Sequence, residues 1–260
     1  MGALAVEEAG EGVPVVLLHG LTATRRYVVM GSKALERGGH RVIAYDARGH
    51  GQSEPGSPYS YEALADDLRR VMDERGVERA VLAGASMGAH TLVRLALEHS
   101  DRALALVIIT PAFDPDTHHE GDLARWDALS EGLRRGGVEG FVEAYGEPDV
   151  PEGMRDTIVT VLRQRLSAHE HPDAVADALR EVPRSAAFSS WDDLARLDLP
   201  VTVVASRDET DPGHPYAIGE RYASVIPGAR LLSEEPGKSP LAWQGGQLSR
   251  IIAETAARAG

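Results

Sequence analysis

A serine lies between two glycines where residues 84–88 read Gly-Ala-Ser-Met-Gly. An apolar run precedes this stretch and a run of helical character follows it, so we expect Ser86 at a sharp strand-to-helix turn. Such a turn crowds the residues two before and two after the serine, and Gly84 and Gly88 leave the room that it needs. The amides and dipole of the following helix would face charge that develops near the hydroxyl. The pattern predicts a serine nucleophile, and the alternative is a glycine-rich turn with an inert serine.

A His-Gly pair, His19-Gly20, follows the first long apolar run. A loop at this place can point its next amide at an oxyanion, and a tetrahedral intermediate needs two such donors. The amides of Leu21 and Met87 are therefore the candidates for an oxyanion hole. We expect His19 itself to fix the loop rather than to move protons.

The elements that must position these residues follow an alternating pattern of short apolar runs and helical stretches. This pattern is typical of a parallel sheet that is covered on both faces. Strands are predicted at 13–18, 42–45, 80–83, 105–110, 201–205 and 230–233, with an edge strand at 4–7. Helices are predicted at 25–37, 60–75, 87–99, 215–225 and 246–258. The expected fold class is α/β, with a mostly parallel twisted sheet and helices on both faces.

The strand pattern stops between Pro111 and Leu199. Amphipathic helical segments are predicted there at 121–135, 138–145, 153–168, 173–182 and 190–196. An all-helical insertion after a sheet strand resembles a lid. We therefore expect a core formed by 1–110 and 196–260, and a helical cap (lid) at 111–195.

Composition narrows the possible partners. The 260 residues are 43% apolar and 26% charged, which is typical of a globular enzyme and not of a disordered chain. A net charge of −13 argues against nucleic acid and anionic membrane surfaces. Without cysteine, disulfides and thiolate chemistry are excluded. The chain has neither a signal-like N-terminus nor a long apolar run. We expect a cytoplasmic protein with a small-molecule substrate and with no cofactor, metal, nucleic-acid partner or membrane partner.

Together, these motifs resemble the α/β-hydrolase superfamily, in particular its small capped esterases, lactonases and haloperoxidase-like members. Residues 45–53 are similar to the D-x-R-G-x-G-x-S loop of that group, and residues 199–208 are similar to its acid strand. The resemblance implies a catalytic order of serine, aspartate and histidine, with Asp208 as the acid. It also implies hydrolysis of an ester, a lactone or a related acyl bond. A serine nucleophile argues against epoxide hydrolase and haloalkane dehalogenase chemistry.

The histidine that the resemblance implies is missing from its usual place after the last strand. The alignment puts that position at Ser239, or at Lys238 with a shift of one residue, and no histidine occurs after His214. A neutral serine cannot accept the proton of Ser86 near pH 7. Either another residue is the base or turnover has been lost.

Several replacements for the base are open. His214 is favoured because it is the histidine that follows Asp208. The pair His118 and His119 at the start of the lid is a second possibility, and Lys238 is a third if burial lowers its pKa by several units. The histidines expected to be structural are His50 and His90, and those expected at the solvated surface are His40, His99, His169 and His171.

We therefore predict a serine hydrolase that acts through an acyl-enzyme on Ser86, with His214 as base and Asp208 orienting it. The substrate is expected to contact Thr22, His118, Lys238 and Ser239. Two alternatives remain open. One is a ligand-binding homologue that has lost turnover, and the other is a cofactor-free lyase or cyclase in which Ser86 only polarises its ligand.

Overall fold

The computed structural model describes residues 2–117, 123–148, 150, 152–208 and 211–260. Its strands are Val6–Ala9 (β1), Val13–Leu18 (β2), His40–Tyr45 (β3), Ala80–Ala85 (β4), Ala103–Ile109 (β5), Val201–Val204 (β6) and Arg230–Leu232 (β7). They form one sheet in the order β1-β3-β2-β4-β5-β6-β7. The edge strand β1 runs antiparallel to β3, and the other neighbouring pairs are parallel. The predicted α/β fold with a mostly parallel sheet is confirmed.

The sheet is buried on both faces because its side chains alternate between two apolar cores. Val16 and Leu18 of β2 belong to one core, whereas Val15 and Leu17 belong to the other. The parallel strands at the centre of the sheet thus read as continuous apolar runs. Their carboxyl ends meet at one edge, and the loops that follow β2, β4 and β6 are brought together there.

Helices cover both faces of the sheet. They are Ala34–Arg37 (α1), Tyr61–Glu74 (α2), Met87–Glu98 (α3), Leu123–Tyr145 (α4), Glu152–Leu166 (α5), Pro172–Glu181 (α6), Trp191–Leu194 (α7), Tyr216–Val225 (α8) and Gly245–Ala256 (α9). The Ser60 side chain accepts from the Ala63 amide and caps α2. Across the described ranges, none of the helices combines the length and the apolar character that a membrane span requires.

The predicted helix at 25–37 is wrong in its middle. The structure has a 3₁₀ turn at Arg25–Tyr27 and then the short helix α1. Met30 and Gly31 between them have φ values of 48° and 72°. Left-handed backbone cannot continue a right-handed helix, so the apolar period of this segment overstated its helical length.

The interval between β5 and β6 holds α4 to α7, as the helical periodicity predicted. Gly137 interrupts α4 with φ 59° and ψ −145°, so α4 is two helices joined by a kink. The halves pack closely, since a Cβ on Gly132 would overlap the carbonyl oxygen of Gly140. On the neighbouring helix α6, the carbonyl oxygen of Ala176 accepts a 2.6 Å hydrogen bond from Ser130 Oγ.

Candidate active site

Ser86 occupies the turn between β4 and α3 with strained backbone, φ 50° and ψ −113°. A Cβ on Gly84 would lie 2.5 Å from the carbonyl carbon of Gly88, and a Cβ on Gly88 would overlap the carbonyl oxygen of Leu18. The turn is held by a hydrogen bond of 3.0 Å from the Ser86 amide to the Ile109 carbonyl oxygen. Both glycines are therefore required by the close approach of neighbouring backbone.

The imidazole of His214 lies directly against this hydroxyl. His214 Nε2 is 2.8 Å from Ser86 Oγ, and Nδ1 is 2.8 Å from Asp211 Oδ2. An ionised carboxylate only accepts hydrogen bonds, so Nδ1 carries the proton and Nε2 is left as the acceptor toward Ser86. This is the tautomer that a general base needs.

The carboxylate that binds His214 is not the one that the sequence suggested, which is a correction. Asp208 was expected to orient the base, whereas the hydrogen bond to Nδ1 is made by Asp211, three residues further along. Asp208 lies in the same turn, where its amide donates to Ser206 Oγ at 3.0 Å and its carbonyl oxygen accepts from the Asp211 amide at 3.2 Å. The turn thus shifts the orienting carboxylate by three residues.

Asp211 is partly buried, and its charge is stabilised by its neighbours. Burial raises the pKa of its carboxyl, but the hydrogen bond and charge of His214, the Gly213 amide and the charge of Arg165 together outweigh that effect. The net pKa lies below its ordinary value. Asp211 therefore remains ionised and can stabilise an imidazolium at His214.

The loop that carries Asp211 and His214 is braced at both ends. The guanidinium of Arg207 stacks at 4.0 Å over the ring of Tyr216, and its Nη2 donates to the Tyr216 hydroxyl at 2.6 Å. Its Nε also donates to Ser233 Oγ at 3.2 Å, and its amide donates to the buried Glu234. These contacts fix where the loop leaves β6 and enters α8.

The loop after β2 is anchored by His19. Its Nδ1 donates to the Gly20 carbonyl oxygen at 2.8 Å, and its Nε2 accepts from the Ala47 amide at 2.9 Å. Burial, reinforced by the charge of His50, holds the pKa of His19 well below its ordinary value. The structure thus places His19 in the structural position that the sequence suggested.

The amides of Leu21 and Met87 are the candidate oxyanion donors beside Ser86. In the described part of the chain, neither the Leu21 amide nor the Met87 amide donates a hydrogen bond. Met87 is the first residue of α3, and a Cβ on Gly20 would lie only 3.6 Å from the Ser86 Cβ. The two candidate oxyanion donors thus belong to two different elements that both approach the serine.

His50 is buried beneath the same loop, with Nε2 2.5 Å from the Leu21 carbonyl oxygen and Nδ1 2.9 Å from the Arg48 carbonyl oxygen. Arg48 in turn donates to the buried Asp67 at 2.7 Å. The 45–53 motif is therefore a structural support of the loop after β2.

His169 is a second correction, because it was expected at the surface and is buried. Its Nδ1 accepts from the Gly51 amide at 2.8 Å, and its Nε2 donates to the Thr22 carbonyl oxygen at 3.2 Å. Burial, together with the charge of His50, lowers its pKa to about 4. His169 joins the segment after α5 to two loops of the active-site edge.

His90 is a structural histidine, in line with its expected role. Its Nε2 accepts from the amides of Ala112 and Phe113 at 3.0 and 3.1 Å, and its Nδ1 lies 2.9 Å from the Tyr61 hydroxyl. Burial and the charge of His214 lower the pKa of His90 to about 3. The neutral ring fixes the chain where it leaves β5.

The remaining predicted site residues differ in their placement. Thr22 lies at the site edge, and its hydroxyl accepts from Arg165 Nη2 at 2.8 Å. Lys238 and Ser239 are exposed in the turn after β7, and no contact between them and Ser86 is seen in the described ranges. An exposed lysine lacks the burial that a lysine base requires, so the structure does not favour Lys238 as base. His118 and His119 lie outside the described residues.

Sequence reasoning missed Asp211 and Arg165. The spacing Asp-Pro-Gly-His at 211–214 was a usable signal, because Pro-Gly favours a turn that can bring the first and last side chains together. Arg165 had no comparable signal, since it is one of three arginines in an amphipathic helix.

Comparison with known proteins identifies the family of this chain. The alpha/beta hydrolase fold family matches residues 13–239. The chain is 31% identical to the AB hydrolase superfamily protein YisY of Bacillus subtilis over 158 residues, which cover 59% of this chain and 55% of YisY. It is 31% identical over 222 residues to a Caulobacter segnis protein named as the carbamate hydrolase RutD, with coverage of 83% and 80%.

Among solved structures, a thermophilic esterase from Thermogutta terrifontis with malate bound is similar, with a TM-score of 0.83 and 26% identity. The match covers 99% of this chain and 94% of the esterase. Its fold and the family match extend over the strands that carry Ser86, Leu21 and His214. The chain therefore belongs to the α/β-hydrolase family and, as predicted, is a hydrolase.

Proposed function

We propose that the protein hydrolyses a carboxylic ester or lactone through a covalent acyl-enzyme on Ser86. The observation that carries this proposal is the 2.8 Å contact between His214 Nε2 and Ser86 Oγ, with Asp211 on the other ring nitrogen. A nucleophile, a base and a group that orients the base are the three parts that serine catalysis requires.

The chemistry divides into two half-reactions. Ser86 Oγ attacks the carbonyl carbon while His214 Nε2 takes the hydroxyl proton, and the oxyanion is held by the Leu21 and Met87 amides. The imidazolium then gives its proton to the leaving alkoxide as the ester bond breaks. Water enters, is deprotonated by His214 and releases the acid, which regenerates the Ser86 hydroxyl.

The base in this proposal is relocated from the loop after β7 to the loop after β6. Both Asp211 and His214 come from one loop, so the exposed turn at Lys238 and Ser239 is not required for proton transfer. The proposed order along the chain is Ser86, Asp211 and His214, which keeps the serine, acid, histidine order of the family.

The site favours turnover over the two alternatives. A binding protein has no need for a histidine in the tautomer of a base against a strained serine, and such strain is commonly retained for function. A lyase in which Ser86 only polarises its ligand has no need for Asp211 at Nδ1. Both features support an activated nucleophile.

We further propose that the helices between β5 and β6 act as a lid over the site. Two contacts support this role: Arg165 at the end of α5 donates to Thr22, and His169 bridges Gly51 and Thr22. The helical segment thus touches the loop beside the proposed oxyanion hole. Closure of a lid excludes water and strengthens the electrostatic interactions inside.

A fluorophosphonate probe tests the proposal directly. We expect rapid stoichiometric labelling of the protein that is absent in Ser86→Ala and strongly slowed in His214→Gln. Hydrolysis of p-nitrophenyl butyrate should fall about a million-fold in turnover in either variant, the loss seen when serine or base is removed from a serine protease. His99→Gln, an exposed histidine, is the matched control and should keep the wild-type rate. An unlabelled wild-type protein would refute the serine mechanism.

A further inference from the structure

Arg165 is placed at the edge of the proposed active site by two elements. It belongs to the last turn of α5, and its Nη2 donates to Thr22 Oγ1 at 2.8 Å. The guanidinium carbon lies 5.9 Å from the centre of the Tyr27 ring. Thr22 directly follows Leu21, so this cation lies beside one of the two proposed oxyanion donors.

Arg165 forms no salt bridge within 4.0 Å among the described residues, although the charge of Asp211 acts on it from further away. Its Nε is inaccessible to solvent and has no hydrogen-bond partner there, and none of the ion pairs within 4.0 Å includes it. On the same helix, Arg155 pairs with Glu147 and Arg163 pairs with Glu139. Burial of a cation without a direct carboxylate partner is unfavourable, so an arginine in this position has capacity left for an anion.

The charge of Arg165 also acts on groups near the proposed active site. It helps to lower the pKa values of Asp211, His19 and His169. Burial lowers the pKa of the Arg165 guanidinium itself. Arg165 thus contacts the loop after β2 through Thr22, and its charge acts on Asp211 in the loop after β6.

We propose that Arg165 binds a carboxylate of the substrate that is separate from the bond being cleaved. The proposal rests on the hydrolase function above and narrows it to esters or lactones that carry a free carboxylate. The planar guanidinium matches a carboxylate through two parallel hydrogen bonds, and Thr22 holds the fork in place. A substrate with a single negative charge suits this site better than a dianion, because the one guanidinium already lies near the negative charge of Asp211.

Two pairs of esters that differ only in a terminal carboxylate test the proposal. On the acyl side, p-nitrophenyl hydrogen glutarate is compared with p-nitrophenyl valerate, and on the alcohol side 4-acetoxybutyrate is compared with butyl acetate. The quantity measured is the ratio of kcat/KM for the anionic ester to that for the neutral ester. In at least one pair, Arg165→Gln should lower this ratio by about tenfold or more, since it removes one partner of a partly buried charge pair.

Two further variants separate charge from structure. Arg165→Lys keeps the charge but loses the fork, so its ratio should lie between those of the wild type and Arg165→Gln. Arg163→Gln lies two residues away, is exposed and pairs with Glu139, so it should leave the ratio unchanged. If the ratio does not respond to Arg165→Gln in either pair, the proposal is wrong. A wild-type enzyme that disfavours the anionic ester in both pairs also overturns it.

A binding measurement distinguishes this proposal from the hydrolase proposal. Titration calorimetry on Ser86→Ala should show that methyl hydrogen glutarate binds more tightly than methyl valerate, and that Arg165→Gln in the same background removes the difference. Arg165-dependent binding in a protein that fluorophosphonate fails to label would preserve the carboxylate site and refute the hydrolase. Labelling without Arg165-dependent binding or selectivity would support the hydrolase and refute the carboxylate site.

Discussion

The imidazole of His214 and the carboxylate of Asp211 meet at 2.8 Å although the two residues are only three positions apart in one loop. The loop connects β6 to α8, and the stacking of Arg207 on Tyr216 joins its two ends. The base therefore depends on the conformation of a single turn. In the family pattern that this sequence resembles, the acid and the histidine follow different strands.

The pairing of Asp211 with His214 predicts a contrast between two aspartates. Asp211→Asn should lower kcat for an ester by about 10,000-fold, because the amide favours the wrong tautomer of the imidazole. Asp208→Asn should cost less than about tenfold, because the hydrogen bond to His214 Nδ1 is made by Asp211. Steady-state kinetics on both variants decide the assignment. A larger loss in Asp208→Asn would restore the residue that the sequence suggested.

The brace at Arg207 predicts a positioning effect on turnover. Arg207→Ala removes the stack on Tyr216 and the hydrogen bond to its hydroxyl, which frees the loop that holds His214. A misplacement of about 1 Å costs on the order of 100-fold, so we expect a loss of that size in kcat with KM little changed. Arg207→Lys should recover part of the rate. An Arg207→Ala enzyme with wild-type kcat would show that the loop holds its shape without this contact.

The close approach at Gly88 predicts a steric effect. A Cβ there would overlap the Leu18 carbonyl oxygen, so Gly88→Ala should reduce the free energy of unfolding by about 1–3 kcal/mol and impair labelling of Ser86. Gly246→Ala, at an open position in α9, is the matched control and should be neutral or slightly stabilising. Denaturant unfolding of both variants provides the comparison. Equal stability of Gly88→Ala and the wild type would contradict the packing described for the turn.

The buried neutral histidines predict loss of stability in acid. His90 and His169 have pKa values of about 3 and about 4 in the fold, against 6.5 for an unperturbed histidine. Below pH 6.5 the unfolded chain binds more protons than the folded one, so the free energy of unfolding decreases as pH falls toward 4. Each such histidine contributes a slope of up to about 1.4 kcal/mol per pH unit.

Urea unfolding at several pH values between 4.5 and 7 measures that slope. His169→Asn should flatten the dependence in this window, whereas His99→Gln, which changes an exposed ring, should not. A free energy of unfolding that stays constant over the window would mean that these rings gain their protons without cost in the fold.

The sheet was predictable from the sequence because its strands are short apolar runs separated by turn residues. Each predicted strand overlaps an observed one, and Ser86 was identifiable because a strained turn demands glycines at fixed spacing. The interruption of the helix predicted at 25–37 could not be identified in this way, because the apolar period gives no sign of the left-handed backbone at Met30 and Gly31.

Side-chain roles were predictable only where they depend on local spacing. His214 was a candidate because of its place after β6, yet the choice between Asp208 and Asp211 depends on how the turn directs each carboxylate. The sequence assigned His169 to the solvated surface. Its burial arises from contacts with Gly51 and Thr22, which are distant in sequence and which no local pattern encodes.

The strained turn at Ser86 has a consequence for how this chain can vary. Positions 84 and 88 accept only glycine, because neighbouring backbone approaches them closely. The connection from β7 to α9, in contrast, takes no part in proton transfer if His214 is the base. Insertions, deletions or a binding epitope could then be introduced around residues 236–239 with little effect on turnover. The tolerant segment of this hydrolase would then be the one in which the family resemblance places the catalytic histidine.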